Sequence, residues 1–128
     1  MLNDIWKDLY NTAKAAVNPK EISAQICSGG VGAAVLSKNG NLYTGVNIDT
    51  DCSLGMCAER NAISTMITAG EFEIAKVVAV NKKGQVLPPC GACREFMMQL
   101  KNASDIEVLV DNRGTVVKLK DLMPYSYS

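Results

Sequence analysis

Apolar residues near the start of the chain recur at steps of three and four positions, which is the spacing of one face of an α-helix. The residues on this face are Leu2, Ile5, Trp6, Leu9, Tyr10, Ala13, Ala16 and Val17. The pattern stops before Pro19, and proline ends a helix because its ring clashes with the preceding turn. The pattern therefore predicts a first helix that packs its apolar face against a core.

Two short apolar stretches, 31–36 and 42–46, follow this helix and have the length of β-strands. Between them lies the pair Asn39-Gly40, which favours a tight hairpin because both residue types adopt positive φ angles readily. The sequence therefore predicts two antiparallel strands joined by this turn.

The middle of the chain alternates between helical and strand patterns. Stretch 57–69 contains neither glycine nor proline and is followed by Gly70, a common residue just after a helix. Stretch 74–80 is a β-branched apolar run, and a further helical stretch covers 91–100. We expect a helix, a strand and a helix in that order.

The last two apolar stretches, 106–110 and 115–119, are separated by the short segment 111–114. A parallel crossover needs a dozen or more residues, so these two strands must pair antiparallel. A short helical turn is expected near the C-terminus. Helices and strands mixed in this way within 128 residues predict a single α/β domain over 1–128, with a mixed sheet.

The amino-acid composition mainly excludes certain classes of function. The chain has 13 basic and 13 acidic residues, so it lacks the excess positive charge of proteins that bind nucleic acids or acidic membranes. It contains no histidine, which excludes every mechanism that needs an imidazole base or ligand. Residues 1–17 carry charges and no continuous apolar run, so we expect neither a signal peptide nor a membrane span there.

Five cysteines are present, and three of them lie in the short motifs Cys57-Ala58-Glu59 and Pro89-Cys90-Gly91-Ala92-Cys93. This spacing favours a metal over a disulfide framework and predicts a reducing, cytoplasmic location. Each motif is predicted to begin a helix, where free N–H groups favour an anionic thiolate. Three thiolates on zinc would leave the fourth position open for water, as in catalytic sites, and Glu59 would face that water.

Three neighbouring residues affect this prediction. Arg60 and Arg94 each follow a motif directly, and we expect their guanidinium groups to offset the thiolate charge by hydrogen-bonding the sulfurs, with surface salt bridges as the alternative. Cys52 is expected to be a free thiol. As a fourth ligand, however, it would close the shell and indicate a non-catalytic structural-zinc module.

The combination of Cys-x-Glu with a later Pro-Cys-x-x-Cys is the signature of zinc-dependent deaminases. Residues 31–94 resemble the cytidine deaminase family of three-cysteine type. The matching motifs are Val31-Gly32-Ala33-Ala34, Thr44-Gly45-Val46-Asn47-Ile48, Cys57-Ala58-Glu59-Arg60-Asn61-Ala62-Ile63 and Pro89-Cys90-Gly91-Ala92-Cys93-Arg94. The resemblance implies a three-layer α/β/α cytidine deaminase-like fold with a mixed five-stranded sheet whose last two strands are antiparallel.

The same resemblance implies a chemistry and a set of residue roles. Cys57, Cys90 and Cys93 would bind one Zn²⁺ per subunit. Glu59 would move a proton from water to the pyrimidine N3 and then to the leaving ammonia, so that cytidine or deoxycytidine is hydrolysed at C4 to uridine or deoxyuridine. Members of this length commonly form homotetramers, so the resemblance also implies a cytoplasmic homo-oligomer, a tetramer or a dimer, acting in nucleoside metabolism and pyrimidine salvage.

Substrate contacts are implied for Asn47 and Asp49, on the ribose hydroxyls, and for Ala58. Asn47 and Asp49 are also residue types that stabilise loops through bonds to the backbone, and this alternative stays open. The chain departs from the family at Asp49, where a glutamate is usual, and at Gly29 or Gly30, where an aromatic residue is usual. Asn61 has no assigned role.

These departures keep other functions open. The first alternative is a deaminase of blasticidin S or of another aminopyrimidine nucleoside. A polynucleotide deaminase is disfavoured by the zero net charge and by the short connection between the last two strands. The non-catalytic zinc module is the third class. We expect a small nucleoside as the partner, with no nucleic acid and no membrane.

Overall fold

Four α-helices and seven strands follow one another along residues 3–126, the part of the chain that this computed structural model describes. In chain order they are α1 (Asp4–Ala16), β1 (Lys20–Glu21), β2 (Ile26–Ser37), β3 (Leu42–Thr50), α2 (Ala58–Thr68), β4 (Ile74–Asn81), β5 (Val86–Leu87), α3 (Gly91–Met98), β6 (Glu107–Leu109), β7 (Val116–Lys118) and α4 (Leu119–Leu122). Every predicted helix and strand is present. Leu2, which was assigned to the apolar face of the first helix, lies outside the described residues.

The main strands form one mixed sheet in the order β3-β2-β4-β6-β7. Strands β4 and β6 run parallel, whereas the other neighbours in this order, including the final pair β6 and β7, are antiparallel. The prediction of a mixed five-stranded sheet with an antiparallel last pair is therefore confirmed. The two-residue strands β1 and β5 extend this sheet beside β2 and β4, and they were not predicted because two residues carry no readable pattern.

Helices cover both faces of the sheet, which gives the three layers that were expected. Helix α1 packs on one face through a cluster of buried residues that comprises Trp6, Leu9, Ala13, Ala34, Val78, Val80, Val86 and Leu109. Helices α2 and α3 pack on the other face, where the larger cluster includes Ala33, Val35, Ala62, Ile63, Met66, Val77, Cys93 and Met97. No helix within residues 3–126 combines the length and hydropathy needed to cross a bilayer.

Two glycines allow the helices to lie directly on the strands. A Cβ atom on Gly32 of β2 would lie 2.3 Å from the carbonyl oxygen of Ala13 in α1. A Cβ atom on Gly45 of β3 would lie 2.3 Å from the amide nitrogen of Ala62 in α2. Such distances are far below van der Waals contact, so any side chain at either position would push the helix off the sheet.

The hairpin between β2 and β3 differs from the expected turn. Gly40 has a positive φ of 89°, but Asn39 is not among the residues with positive φ. The Gly40 amide donates to the Ser37 carbonyl at 3.0 Å, and the Ser37 amide donates to the Asn41 carbonyl at 2.9 Å. These bonds fit a three-residue connection that ends in a left-handed glycine, so only one positive φ is required.

A single carboxylate beyond the end of α2 holds this hairpin. Glu71 accepts hydrogen bonds from the side-chain amides of Asn39 at 2.9 Å and Asn41 at 2.8 Å, and from the hydroxyl of Tyr43. These donors, led by the Tyr43 hydroxyl, lower the pKa of Glu71 from its ordinary value to about 2. The ionised carboxylate therefore ties the hairpin to the segment that follows α2.

We predict that Glu71 contributes to the acid stability of the fold. Its pKa is lower in the folded protein than in the unfolded chain, so its contribution is complete above pH 4.5 and is lost as the pH falls toward about 2. Glu71→Gln should lower the melting temperature at pH 6, and its difference from the wild type should shrink below pH 3. Thermal unfolding followed by circular dichroism measures this, with Glu95→Gln as the control. A difference that stays constant with pH would contradict the prediction.

Candidate metal centre

The two cysteine motifs lie at the starts of the two helices on the same face of the sheet. Cys57 is the N-cap residue of α2, and Cys90 is the N-cap residue of α3. The Cys90 sulfur accepts a hydrogen bond from the Cys93 amide at 3.4 Å, so this thiol caps its own helix. Strands β3 and β4 precede these helices, and the sheet thereby brings both helix starts together.

The three motif thiols form one cluster. The sulfur atoms of Cys57, Cys90 and Cys93 all lie within 4.8 Å of one another, and those of Cys57 and Cys90 are 3.2 Å apart. Thiolates that share one zinc ion at about 2.3 Å lie about 3.8 Å from each other in tetrahedral geometry. The spacing and the soft sulfur donors therefore fit a zinc ion. Within residues 3–126, Cys52 does not belong to this cluster, and its sulfur instead lies 3.4 Å from the Thr50 hydroxyl.

Burial controls the acidity of these thiols. It raises the pKa of Cys57, and together with the charge of Glu59 it also raises the pKa of Cys93. Burial opposes ionisation at Cys90 as well, but hydrogen bonds led by the Cys93 amide hold its pKa below the ordinary value. The expectation of lowered thiol pKa values therefore holds for Cys90 and fails for Cys57 and Cys93. A bound divalent cation would reverse this balance, because metal-coordinating thiols are deprotonated.

Glu59 lies beside the thiol cluster in the first turn of α2. Its side chain is buried, with 5% of the residue surface exposed, and its Oε1 atom is 4.0 Å from the Cys93 sulfur. Burial raises the pKa of Glu59 above its ordinary value. A buried carboxylate next to a candidate metal site and at the wall of a cleft is placed to exchange protons with a bound molecule.

The two arginines contact different atoms. The Nη2 atom of Arg60 is 3.8 Å from the Cys57 sulfur, and the Nε atom of Arg60 is buried without a hydrogen-bond partner among residues 3–126. Arg94 differs from the expectation that it would bond a sulfur. Its Nε donates to the Pro89 carbonyl at 2.7 Å and its Nη1 donates to the Leu122 carbonyl at 3.2 Å, so it connects the metal-site loop to α4.

A cleft of about 510 Å³ opens over the cluster, and Asn47, Asp49, Ala58, Glu59 and Arg60 are among the residues that line it. The Asn47 Oδ1 atom accepts from the Val31 amide at 2.8 Å, and its Nδ2 atom donates to Asp49 at 3.1 Å. Asn47 therefore makes a side-chain bond to the backbone, as the structural alternative expected, but it joins two strands and does not stabilise a loop. It also lies on the cleft wall with Asp49.

Asn61 is a residue whose place in the site the sequence reasoning missed. Its Nδ2 atom donates to the Val46 carbonyl at 2.9 Å, so it bonds helix α2 to the strand position just before Asn47. The sequence did contain a signal for this position. Asn61 lies four residues after Cys57, and residues four apart lie on the same face of a helix. Asn61 thus connects the element that carries Glu59 to the element that carries Asn47.

Comparison with known proteins relates the whole arrangement to one family. Residues 7–109 match the model of the cytidine and deoxycytidylate deaminase zinc-binding region. A cytidine deaminase of Halalkalibacterium halodurans is 32% identical over 102 residues, which cover 77% of this chain and 76% of that protein. A blasticidin-S deaminase of Bacillus cereus is 31% identical over 109 residues, with 77% and 76% covered. The crystal structure of cytidine deaminase from Mycobacterium tuberculosis superposes with a TM-score of 0.81 at 26% identity, covering 98% of this chain and 99% of that one.

We predict that zinc protects the accessible thiols of its site from a thiol-specific reagent such as dithiobis(nitrobenzoate). Cys57 and Cys90 should become unreactive when zinc is added, whereas the exposed Cys27 and Cys52 should remain reactive, and the buried Cys93 should stay unreactive with or without zinc. Removal of zinc by a chelator should restore the reactivity of Cys57 and Cys90. Cys93→Ser should weaken the protection of these two thiols, and Cys52→Ser is the matched control that should keep it. Protection of Cys52 by zinc would show a closed coordination shell.

Proposed function

The chain belongs to the cytidine and deoxycytidylate deaminase family, and from this premise we propose that it hydrolyses cytidine and deoxycytidine to uridine and deoxyuridine with release of ammonia. The observation that carries the proposal is the position of Glu59. Its buried carboxylate lies 4.0 Å from a thiol of the candidate zinc site and lines the cleft. A structural zinc site has no need for a buried carboxylate beside its ligands.

The proposed metal ligands are Cys57, Cys90 and Cys93. A zinc ion held there would act as a Lewis acid that activates water at neutral pH. Arg60, whose guanidinium lies 3.8 Å from the Cys57 sulfur, would reduce the negative charge of the thiolates. Arg94 would act differently, because its bonds to the Pro89 and Leu122 carbonyls hold the backbone that carries Cys90.

Glu59 is the proposed catalytic residue. Its carboxylate would accept a proton from the attacking water and donate it to N3 of the pyrimidine, which prepares C4 for attack. It would then accept the proton of the new C4 hydroxyl and deliver it to the amino nitrogen, so that the C4–N bond breaks, ammonia leaves and C4 becomes a carbonyl. One water molecule is consumed, and the carboxylate returns to its starting state.

The pyrimidine ring dictates where the sugar lies. C4 and the glycosidic N1 are on opposite sides of the ring, so a base with C4 beside Glu59 directs its sugar away from the thiols. Asn47 and Asp49 line the cleft but do not belong to the metal cluster, and we assign them to the ribose hydroxyls. Ala58 begins α2, where a backbone N–H has no intrahelical acceptor, and we assign it to the edge of the base.

The charges of the cleft favour a nucleoside over a nucleotide or a nucleic acid. Its charged lining residues are Asp49, Glu59 and Arg60. The cation among them is the group that contacts the Cys57 sulfur, so residues 3–126 place no further cation in the lining to bind a phosphate. This agrees with the equal numbers of acidic and basic residues in the chain.

A deaminase of blasticidin S, or of another aminopyrimidine nucleoside, is the second candidate. The relative from Bacillus cereus named a blasticidin-S deaminase is 31% identical. In addition, Asp49 lines the cleft where the family usually has a glutamate, and Gly29 or Gly30 stands where the family usually has an aromatic residue. The zinc site and Glu59 would serve either substrate, so the two candidates differ only at the sugar end of the cleft.

We further propose that the protein acts in the cytoplasm as a homo-oligomer, a tetramer or a dimer. Its five free cysteines are typical of a reducing compartment. Several large apolar side chains are exposed, among them Leu54 and Phe72, and association would remove them from water. Light scattering should give a mass that is a multiple of 13.7 kDa, and a mass equal to that of one chain would reject this assembly.

We predict that Glu59→Gln lowers kcat for cytidine by about 10²–10⁴-fold, the range expected when a general acid–base is lost. The amide keeps the shape of the side chain but cannot carry the proton. Ammonia release and the ultraviolet change of the base measure turnover, and metal analysis should show normal zinc content. Glu95→Gln, on the exposed side of α3, is the matched control. Undiminished turnover in the Glu59 variant would exclude the proposed role.

A further inference from the structure

Asn61 uses its side chain for a contact outside its own helix. It lies near the start of α2, although asparagine is among the weaker helix formers. Its backbone amide donates to the Cys57 carbonyl at 3.2 Å, so its backbone is already bonded within the helix. Its Nδ2 atom donates to the Val46 carbonyl of β3 at 2.9 Å. The residue type at position 61 is therefore explained by the strand and not by the helix.

The outer side of strand β3 is where this bond is made. Among residues 3–126, β2 is the strand that pairs with β3, so the other side of β3 faces no strand. At Ile48 that side exchanges two hydrogen bonds of 2.9 Å with the backbone of Met56. Backbone groups two residues apart point to the same side of a strand, so the Val46 carbonyl faces the same way. The side-chain amide of Asn61 supplies there the donor that a neighbouring strand would supply.

Asn47 is the residue between these two contacts. Both contacts are made by segment 56–61, which also carries Cys57 and Glu59. The two bonds therefore fix the position of Asn47 relative to the thiol cluster and to the carboxylate. The Nδ2 atom of Asn47 donates in turn to Asp49 at 3.1 Å, so a displacement of Asn47 passes to Asp49 as well.

A nucleoside must meet both ends of this arrangement at once. Its C4 has to lie beside Glu59 while its sugar hydroxyls reach Asn47 and Asp49, and the distance between C4 and the sugar is fixed by the ring. One separation of α2 and β3 satisfies both contacts. The bond from Asn61 to the Val46 carbonyl lies on the path that sets this separation.

We propose that Asn61 is a positioning residue, whose amide holds Asn47 and Asp49 at the distance from Glu59 that the nucleoside requires. This proposal rests on the proposed function, because it takes Asn47 and Asp49 as the sugar contacts. Asn61 is not one of the described residues that line the cleft, so it acts through them. The contact at Met56 is made by backbone groups, whereas that of Asn61 is made by a side chain, so one substitution can remove it.

Asn61→Leu tests this role on the zinc-loaded full chain, because leucine has nearly the shape of asparagine but cannot donate a hydrogen bond. We expect KM for cytidine to rise by about tenfold, with kcat changed by less than about twofold, as when binding is lost equally in the ground and transition states. The kcat/KM for 2′,3′-dideoxycytidine, which lacks the two ring hydroxyls, should change by less than about twofold. Thr68→Ala removes a side-chain bond to a carbonyl within α2 and is the matched control that should leave both substrates unaffected.

A double-mutant cycle separates positioning from a general effect on the fold. In the Asn47→Ala background, Asn61→Leu should cause no further loss for cytidine, because the residue through which it acts has been removed. The same loss in both backgrounds would overturn the proposal. Circular dichroism and metal analysis verify that the variants fold and bind zinc. Asn61→Ala is the second variant, with the same expected pattern, should the leucine variant fail either check.

The outcomes separate this inference from the proposed function. Absence of cytidine turnover in the wild type would reject the proposed function. Dissociation constants of uridine and 2′,3′-dideoxyuridine, measured by calorimetry, would then report on Asn61 without turnover, and equal uridine binding by the wild type and Asn61→Leu would overturn the inference. With turnover present, an equal loss for cytidine and dideoxycytidine, or a loss confined to kcat, would overturn the inference alone.

Discussion

The site depends on how closely helix α2 lies on strand β3. At Gly45 the two backbones meet without an intervening side chain, and one residue later Asn61 bonds the Val46 carbonyl. This contact determines how far Cys57 and Glu59, at the start of α2, lie from Asn47 and Asp49, which follow Gly45 on β3. A larger residue at Gly45 would separate Glu59, the proposed catalytic residue, from the proposed sugar contacts while leaving each element intact. The distances between the site residues on α2 and those on β3 therefore depend on backbone packing and not on the conformation of a loop.

A second constraint is electrostatic. Cys93 and Glu59 are both buried, and burial raises the pKa of each; the charge of Glu59 raises the pKa of Cys93 further. The hydrophobic core, of which Cys93 is a part, holds these two groups in place. A cation bound by the proposed ligands would supply the energy for ionising them, and Arg60 places a positive charge beside Cys57.

The main helices and strands, and the positions of the two cysteine motifs at helix starts, could be predicted from the sequence, whereas the contacts that connect these residues could not. The main strands and helices have periodic patterns long enough to read, and the start of α3 follows from Cys90 and its neighbours. The register shift of β2 against β3 between Ser28 and Gly32 could not be read from the sequence, because this segment is bonded to a distant residue: the Asn18 amide donates to the Gly29 carbonyl at 2.8 Å. The Leu122 acceptor of Arg94 was missed for the same reason, since it lies 28 residues away. A sequence pattern reflects interactions between residues that are close along the chain, whereas these contacts form only when distant segments pack together.

The two bonds of Arg94 have a consequence for how the C-terminal region affects the site. One guanidinium joins the Pro89 carbonyl, directly before Cys90, to the Leu122 carbonyl in α4. Displacement of α4 would remove one of these two acceptors, and the loop that carries Cys90 would be held less firmly. A change in this last helix can therefore alter the cysteine cluster although α4 contributes no residue to it.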